Sequence, residues 1–273
     1  MPPTPVATLA EVVDAVHRHY DPRRAEPWDA VGLVCGDPEQ PVRRIHLAVD
    51  AVAATVDEAL AAGADLLLTH HPLLLRPVTS VAATTPGGRL VHRLVRAGCA
   101  LLAAHTNADV ARDGVSDALA AALGIGSAVP VVPADDDPGV GLGRVGDLAE
   151  AVTLARFAET VRDALPRTAH GVRVAGDPQR TVRRVAVLGG SGGDELEALS
   201  RVGADVVVTS DLRHHVASDH LAAGGPALVD VAHFASEWPW LPTLARLLAD
   251  DLSGYAVDVT VSTLVTDPWT AHL

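Results

Sequence analysis

Three short apolar runs, each ending in side chains that ligate metals, constrain this chain more than any other feature. Leu66-Leu-Leu-Thr69 runs into His70-His71-Pro72, and Cys99-Ala-Leu-Leu-Ala-Ala104 into His105-Thr-Asn-Ala-Asp109. Ala227-Leu-Val-Asp-Val-Ala232 runs into His233-Phe-Ala-Ser-Glu237. Runs of this length, alternating with helical patterns, are how parallel strands covered by crossover helices read in sequence. The fold class that follows is α/β. Open α/β sheets bind ligands beyond the carboxyl ends of their strands, so all three clusters stand where a site is expected.

The donor types narrow the chemistry. Imidazole and carboxylate suit zinc, iron or manganese, and no thiolate competes. The two cysteines, Cys35 and Cys99, lie far apart and form neither a CxxC pair nor a disulfide framework. His233 and Glu237 are four apart, so a helical turn puts both on one face. His70 and His71 would point to opposite sides of a regular strand. At a strand end before a proline they can instead diverge towards two neighbouring ions. His70, His71, Asp109, His233 and Glu237 are more ligands than one open tetrahedral site needs. They suit two divalent ions sharing a carboxylate, with positions left for water. His105 could ligate as well, or stand behind the ligands and orient them or move a proton. His214-His215 forms a second doublet, which stays outside the ligand set. His17, His19, His46, His92, His170, His220 and His272 are read as ordinary core or surface residues.

Along the chain, a Pro-rich lead precedes an amphipathic helix over Leu9 to Tyr20. Further helices are expected near 54–62 and 88–97, and a strand over Arg44–Asp50. Residues 126–143, with Pro130, Pro133, Asp135 to Asp137 and three glycines, read as an exposed connection between two halves. The halves are placed at 1–128 and 129–273, with the C-terminal segment able to pack back on the first. A shift of 140 residues brings Arg43-Arg44 onto Arg183-Arg184 and Gly63-Ala-Asp-Leu-Leu-Leu-Thr69 onto Gly203-Ala-Asp-Val-Val-Val-Thr209. The match is low in identity but keeps type, order and spacing, as related halves would. Gly189-Gly-Ser-Gly-Gly193 after a strand has the look of an anion-binding turn, without the spacing of a dinucleotide fingerprint. Trp238, Pro239 and Trp240 are read first as core, with packing over the site or at a subunit interface as the alternatives.

Totals exclude several classes. The net charge of −13 argues against bulk nucleic-acid binding. All 21 basic residues are arginine, so a Schiff-base lysine and a Walker phosphate loop are both out. No apolar run reaches the ~18 residues of a membrane span, and the N-terminus lacks a secretory leader. A cytoplasmic protein is the expectation. Ser191 and Ser210 have no base in view, which leaves a serine hydrolase unsupported.

Seven motifs in order resemble the Nif-three-like family, known as GTP cyclohydrolase 1 type 2 homologues. They are Ala25-Glu-Pro-Trp-Asp-Ala-Val-Gly-Leu33, Thr69-His-His-Pro-Leu73, His105-Thr-Asn-Ala-Asp109, Gly141-Leu-Gly-Arg-Val-Gly146, Gly189-Gly-Ser-Gly-Gly193, Thr209-Ser-Asp-Leu-Arg-His-His215 and His233-Phe-Ala-Ser-Glu237. The resemblance implies a dinuclear metal site in a cleft between two similar α/β domains, and often a ring-shaped hexamer. It implies that His71 and Asp109 hold one ion, His70 and His233 the other, and that Glu237 bridges them. The chain departs from the family pattern at Ala30, Ala232 and Ser210, none of them a ligand. The connection near 126–143 is too short for the extra domain that some relatives carry.

The function expected is a metal-dependent hydrolase acting on an unknown small molecule, with the cyclohydrolase name a homology label. The alternative is a metal-handling or regulatory protein without turnover. A third reading is an interaction scaffold with a structural metal. All three need the same five ligands.

Overall fold

A computed structural model describes residues 4–273; the first three residues of the Pro-rich lead lie outside that range. The chain divides into two compact units. One is the chain up to Ala108 with Leu241–Thr266, the other Asp109–Trp240 with Asp267–Leu273.

In the first unit, β1 (Ala7–Thr8) leads into α1 (Leu9–His19), followed by β2 (Gly32–Cys35), β3 (Pro41–Val42) and β4 (Arg44–Ala48). Next come α2 (Ala53–Ala61), β5 (Leu66–Thr69), α3 (Pro86–Ala97) and β6 (Ala100–Ala103), and α4 (Thr106–Val110) passes into the second unit at Asp109. Helix α1 starts where Thr8 and Glu11 form a capping box: Glu11 N–H donates to the Thr8 hydroxyl while Thr8 N–H donates to the Glu11 carboxylate at 2.7 Å. Gly98, at φ 69°, ends α3 in the left-handed conformation that suits glycine.

The second unit holds α5 (Val115–Ala122), β7 (Ile125–Pro133), β8 (Gly141–Thr153), α6 (Leu154–Ala164), β9 (Val172–Ala175) and β10 (Thr181–Ser191). It continues with α7 (Leu196–Arg201), β11 (Val206–Ser210), α8 (His214–Ala222), β12 (Ala227–Val231) and α9 (His233–Glu237). Helix α10 (Trp240–Asp251) and β13 (Asp258–Val261) then return the chain to the first unit.

The first sheet has the order β13-β4-β5-β6-β2, parallel except for β2, which runs antiparallel to β6. The second has the order β7-β8-β10-β11-β12-β9, with β10, β11 and β12 parallel and the other strands antiparallel to their neighbours. Its central strands are buried on both faces. Val185 and Val187 join one core with Phe157 and Val161, while Ala186 and Leu188 join another with Leu196 and Leu199. This is the period-2 division of an apolar strand between two layers.

The residues that repeat at 140 make matching bonds inside each unit. Asp65 Oδ2 accepts from the backbone N–H groups of Arg43 and Arg44 at 2.7 and 3.0 Å. Asp205 Oδ2 accepts from those of Arg183 and Arg184 at 2.9 and 2.8 Å. A further correspondence lies in Gly36-Asp-Pro38 and Gly176-Asp-Pro178. Gly36 and Gly176 have φ of 137° and 139°, and a Cβ on them would strike Ala100 and Ala227 respectively.

One expectation is corrected. Residues 126–143 are not an exposed connection: Ile125–Pro133 is an edge strand, and β8 begins at Gly141. Pro130 and Pro133 suggested a loop because proline cannot donate to a ladder. An edge strand has a side on which that donor is not needed. Ser127, at φ 48°, sits in the register shift between Gly126 and Val129. Only Ala134–Val140, with its exposed aspartates, is the link.

Candidate metal centre

In the first unit, His70 and His71 follow β5 directly. Their backbone N–H groups continue the ladder to the carbonyls of Ala48 and Val49, at 3.2 and 2.9 Å, so the doublet is held in place by main chain. His70 is fully buried, and its Nδ1 lies 2.9 Å from the Ala104 carbonyl oxygen. A carbonyl can only accept, so Nδ1 carries the proton and Nε2 of the neutral ring carries the lone pair. His71 Nδ1 donates to Asp50 Oδ1 at 2.7 Å, and Asp50 Oδ2 accepts from the Thr266 hydroxyl. His105, just past β6, donates from Nδ1 to Asp29 Oδ1 at 2.8 Å. The Asp29 carboxylate is fully buried and also accepts from the backbone N–H groups of Ala30 and Thr106, at 2.7 and 3.0 Å. Burial pushes its pKa up, but the bonds from His105 and Thr106 outweigh that and hold the carboxyl well below the usual range. His70, His71 and His105 each offer a nitrogen, and the three atoms lie within 4.8 Å of one another.

In the second unit, His233 opens α9 where β12 ends, and Glu237 closes the same turn. Nε2 of His233 is 2.9 Å from Oε1 of Glu237. Two ligand atoms with bonds of ~2.1 Å to one ion and a right angle between them stand about 3 Å apart, so the pair has the spacing of neighbouring ligands. His233 Nδ1 donates to Asp211 Oδ2 at 2.7 Å. That bond lowers the Asp211 pKa against the effect of burial. Asp211 sits just past β11 at φ 58°, a conformation aspartate tolerates better than most residues. Gly190, at φ 73°, passes so close that a Cβ there would lie 2.7 Å from Glu237 Oε1 and 3.3 Å from His233 Nε2. Its N–H donates to the Ser236 hydroxyl at 2.9 Å, and Ser236 in turn donates to the His233 carbonyl at 2.7 Å. Asp109 lies half-buried on α4 and belongs to this unit.

Within each unit the structure brings His70 beside His71 and His233 beside Glu237. His105 stands beside the doublet. In all four imidazoles Nδ1–H is tied to a carboxylate or a carbonyl, the arrangement that fixes tautomer and ring angle for ligation through Nε2. The sulfur donors do not qualify: burial pushes the Cys99 thiol up to about 12 and raises that of Cys35.

Sequence reasoning missed the supporting residues Asp29, Asp50, Asp211 and Gly190, although each stood inside a run or motif already singled out. The glycine-rich turn is a correction. Gly189 and Gly190 belong to strand β10, and α7, of six residues, starts only at Leu196. Gly190 makes room for Glu237 and His233 and Gly189 for Val115, and neither opens a helix on an anion. His214 and His215 begin α8, and neither joins a group of three metal donors among the described residues. Trp240 is fully buried in core, as expected.

These features define an α/β protein whose strand ends present His and Glu groups that could hold a metal ion. Residues 7–268 match Duf34/NIF3 (NGG1p interacting factor 3), and the chain belongs to that family. A Streptomyces coelicolor protein named GTP cyclohydrolase 1 type 2 homolog is 51% identical over 269 residues, covering 97% of this chain and 94% of its own. A Clostridium perfringens protein of the same name is 33% identical, covering 96% and 98%. Among solved structures, a Bacillus cereus protein related to NIF3 superposes with a TM-score of 0.89 at 26% identity, covering 97% of this chain and 99% of that one. No described helix is long and apolar enough to cross a membrane.

Proposed function

We propose that this chain binds two divalent cations, zinc, iron or manganese, and is a metal-dependent hydrolase of a small molecule. In this reading His71 and Asp109 hold one cation, His70 and His233 the other, and Glu237 both, so the site draws on both halves of the chain. The single observation that carries it is the bracing of His70, His71 and His233 through Nδ1. Metal-ligating histidines almost always tie their other ring N–H to a carboxylate or carbonyl in this way. Bound cations would supply a water acidified towards neutral pH and positive charge for a developing oxyanion. The chain's own part is to fix the ligands: Asp50 and Asp211 set the ring angles of His71 and His233, and Gly190 leaves space at Glu237.

The name of the relatives makes GTP the first substrate to try, with other nucleotides and phosphoesters after it. The test is elemental analysis of the purified protein together with a turnover screen of wild type against Glu237→Gln. Two equivalents of metal, with turnover that Glu237→Gln abolishes, are expected. Metal without turnover would favour a metal-handling role, and absence of metal from a protein supplied with all three ions would overturn the reading. We read the chain as cytoplasmic and as a homo-oligomer, a hexamer by resemblance, which sedimentation equilibrium tests directly.

A further inference from the structure

Strand β12 carries a buried charge that its counterpart in the first sheet does without. In the first sheet Ala103 of β6 is paired with Thr69 of β5, and in the second Asp230 of β12 is paired with Thr209 of β11. Both Ala103 and Asp230 are buried. A buried carboxylate is costly unless it is paired, and an apolar residue in its place is often as stable. The packing of a parallel strand therefore does not call for Asp230. Its Oδ1 accepts the Leu212 N–H at 3.1 Å. Its Oδ2 accepts from Arg173 Nε at 2.8 Å, from Arg173 Nη2, and from His170 Nε2 at 3.1 Å. Arg173 lies opposite Asp230 on the edge strand β9, and its side chain stays 58% exposed. The pair holds a guanidinium in a fixed place with its outer edge open.

A cavity of about 460 Å3 opens at this pair, lined by α8 on one side and by β9 and β12 on the other. Its two ends differ. Arg173, Asp230 and His214 stand at one end, because Leu212 ties the start of α8 to Asp230. Two residues along the strands Ala175 is paired with Leu228, and Leu221, near the end of α8, lines the same cavity. Leu221 is exposed although apolar. We propose that this cavity binds a small aliphatic carboxylate, its head group on the Arg173 guanidinium and the His214 N–H, its chain along Leu221 and Leu228. Among the described residues, Asp230 is the one acidic side chain lining the cavity, and Arg173 already occupies it. The head end therefore offers donors, and a guanidinium fork matches a carboxylate. From His214 to Leu221 the helix rises ~10 Å, about the length of octanoate. The proposal does not rest on cation binding.

Equilibrium dialysis of the whole chain against radiolabelled octanoate tests it. Prior treatment with EDTA removes cations that could hold a carboxylate by themselves. One equivalent of octanoate is expected to bind. Acetate and octanol, which each carry half of the ligand, should compete at least tenfold more weakly. Arg173→Met should weaken octanoate binding at least tenfold. That change strands Asp230, so if the variant does not fold, the double variant Arg173→Met, Asp230→Asn takes its place with the same loss expected. Leu221→Glu leaves the ion pair intact and sets a carboxylate at the apolar end, and it too should cost at least tenfold. The proposal is overturned if octanoate does not bind at millimolar concentration, or if octanol binds as tightly as octanoate. Arg173 and Leu221 variants that fold and bind octanoate as wild type does would overturn it equally.

Discussion

Gly190 and Thr266 shape the proposed centre without offering it a donor atom. Gly190 has a positive φ of 73° and sits where a Cβ would press on Glu237 and His233. Gly190→Ala therefore carries two costs, roughly 1–2 kcal/mol for a left-handed alanine and a displaced carboxylate. We expect a lower Tm together with at least tenfold weaker Zn2+ binding, measured by thermal melting and by chelator competition. If the Tm falls while affinity stays, the close approach has been misjudged. Thr266 works at one remove, since its hydroxyl occupies Asp50 Oδ2 while Asp50 Oδ1 orients His71. Loss of such an outer partner typically weakens metal binding about 10–100-fold. Thr266→Val is expected to fall in the lower part of that range, whereas Thr266→Ser, which keeps the hydroxyl, should bind as wild type does.

The elements that position the centre were legible where local chemistry decides them. The amphipathic pattern places a helix over Leu9 to Tyr20, and the structure runs α1 over Leu9–His19. The helix expected near 88–97 lies within α3, and the apolar runs of β5, β6 and β12 end where the proposed ligands begin. Strand β7 was not legible, because its prolines are tolerated by its place at a sheet edge, and edge position is a property of the whole sheet. Asp29 and Asp50 were not legible either. Asp29 stands 76 residues from His105 in sequence, and nothing local couples the two. The capping box also gives a pH dependence. Bonds from the Thr8 backbone, then from Tyr255 and the Thr8 hydroxyl, lower the Glu11 pKa below its ordinary 4.5, against a small opposing effect of burial. A depressed carboxyl stabilises the fold fully above its unfolded value and loses that contribution as pH falls through the folded one. Glu11→Gln should therefore be less stable than wild type at pH 7, and the difference should shrink below about pH 4.5. Urea melts at pH 7 and pH 3.5 check this, and a difference independent of pH would show that the carboxylate charge is not what α1 uses.

At the scale of the whole molecule, the proposed metal binding would be one equilibrium with folding. A ligand that binds only the native state stabilises it by RT ln(1 + [L]/Kd), about 4 kcal/mol at a thousandfold excess over Kd. For a chain of this length that is a rise of roughly 10 °C in Tm. The proposed donors are spread along the chain from His70 to Glu237, so the gain should register in the main unfolding transition. A chain with 13 histidines can also gather cations at its surface, so a rise alone does not locate them. Two variants separate the sources. Glu237→Gln alters a buried carboxylate at the proposed centre, whereas His92→Ala removes an exposed imidazole on α3, outside the proposed centre. In melts with EDTA and with saturating Zn2+, wild type and His92→Ala should show the full gain, and Glu237→Gln should lose about half of it or more. Equal gains in all three proteins would place the stabilising metal outside this centre. A gain lost only in Glu237→Gln would tie the stability of the fold to the same side chains that the sequence marks at the ends of its strands.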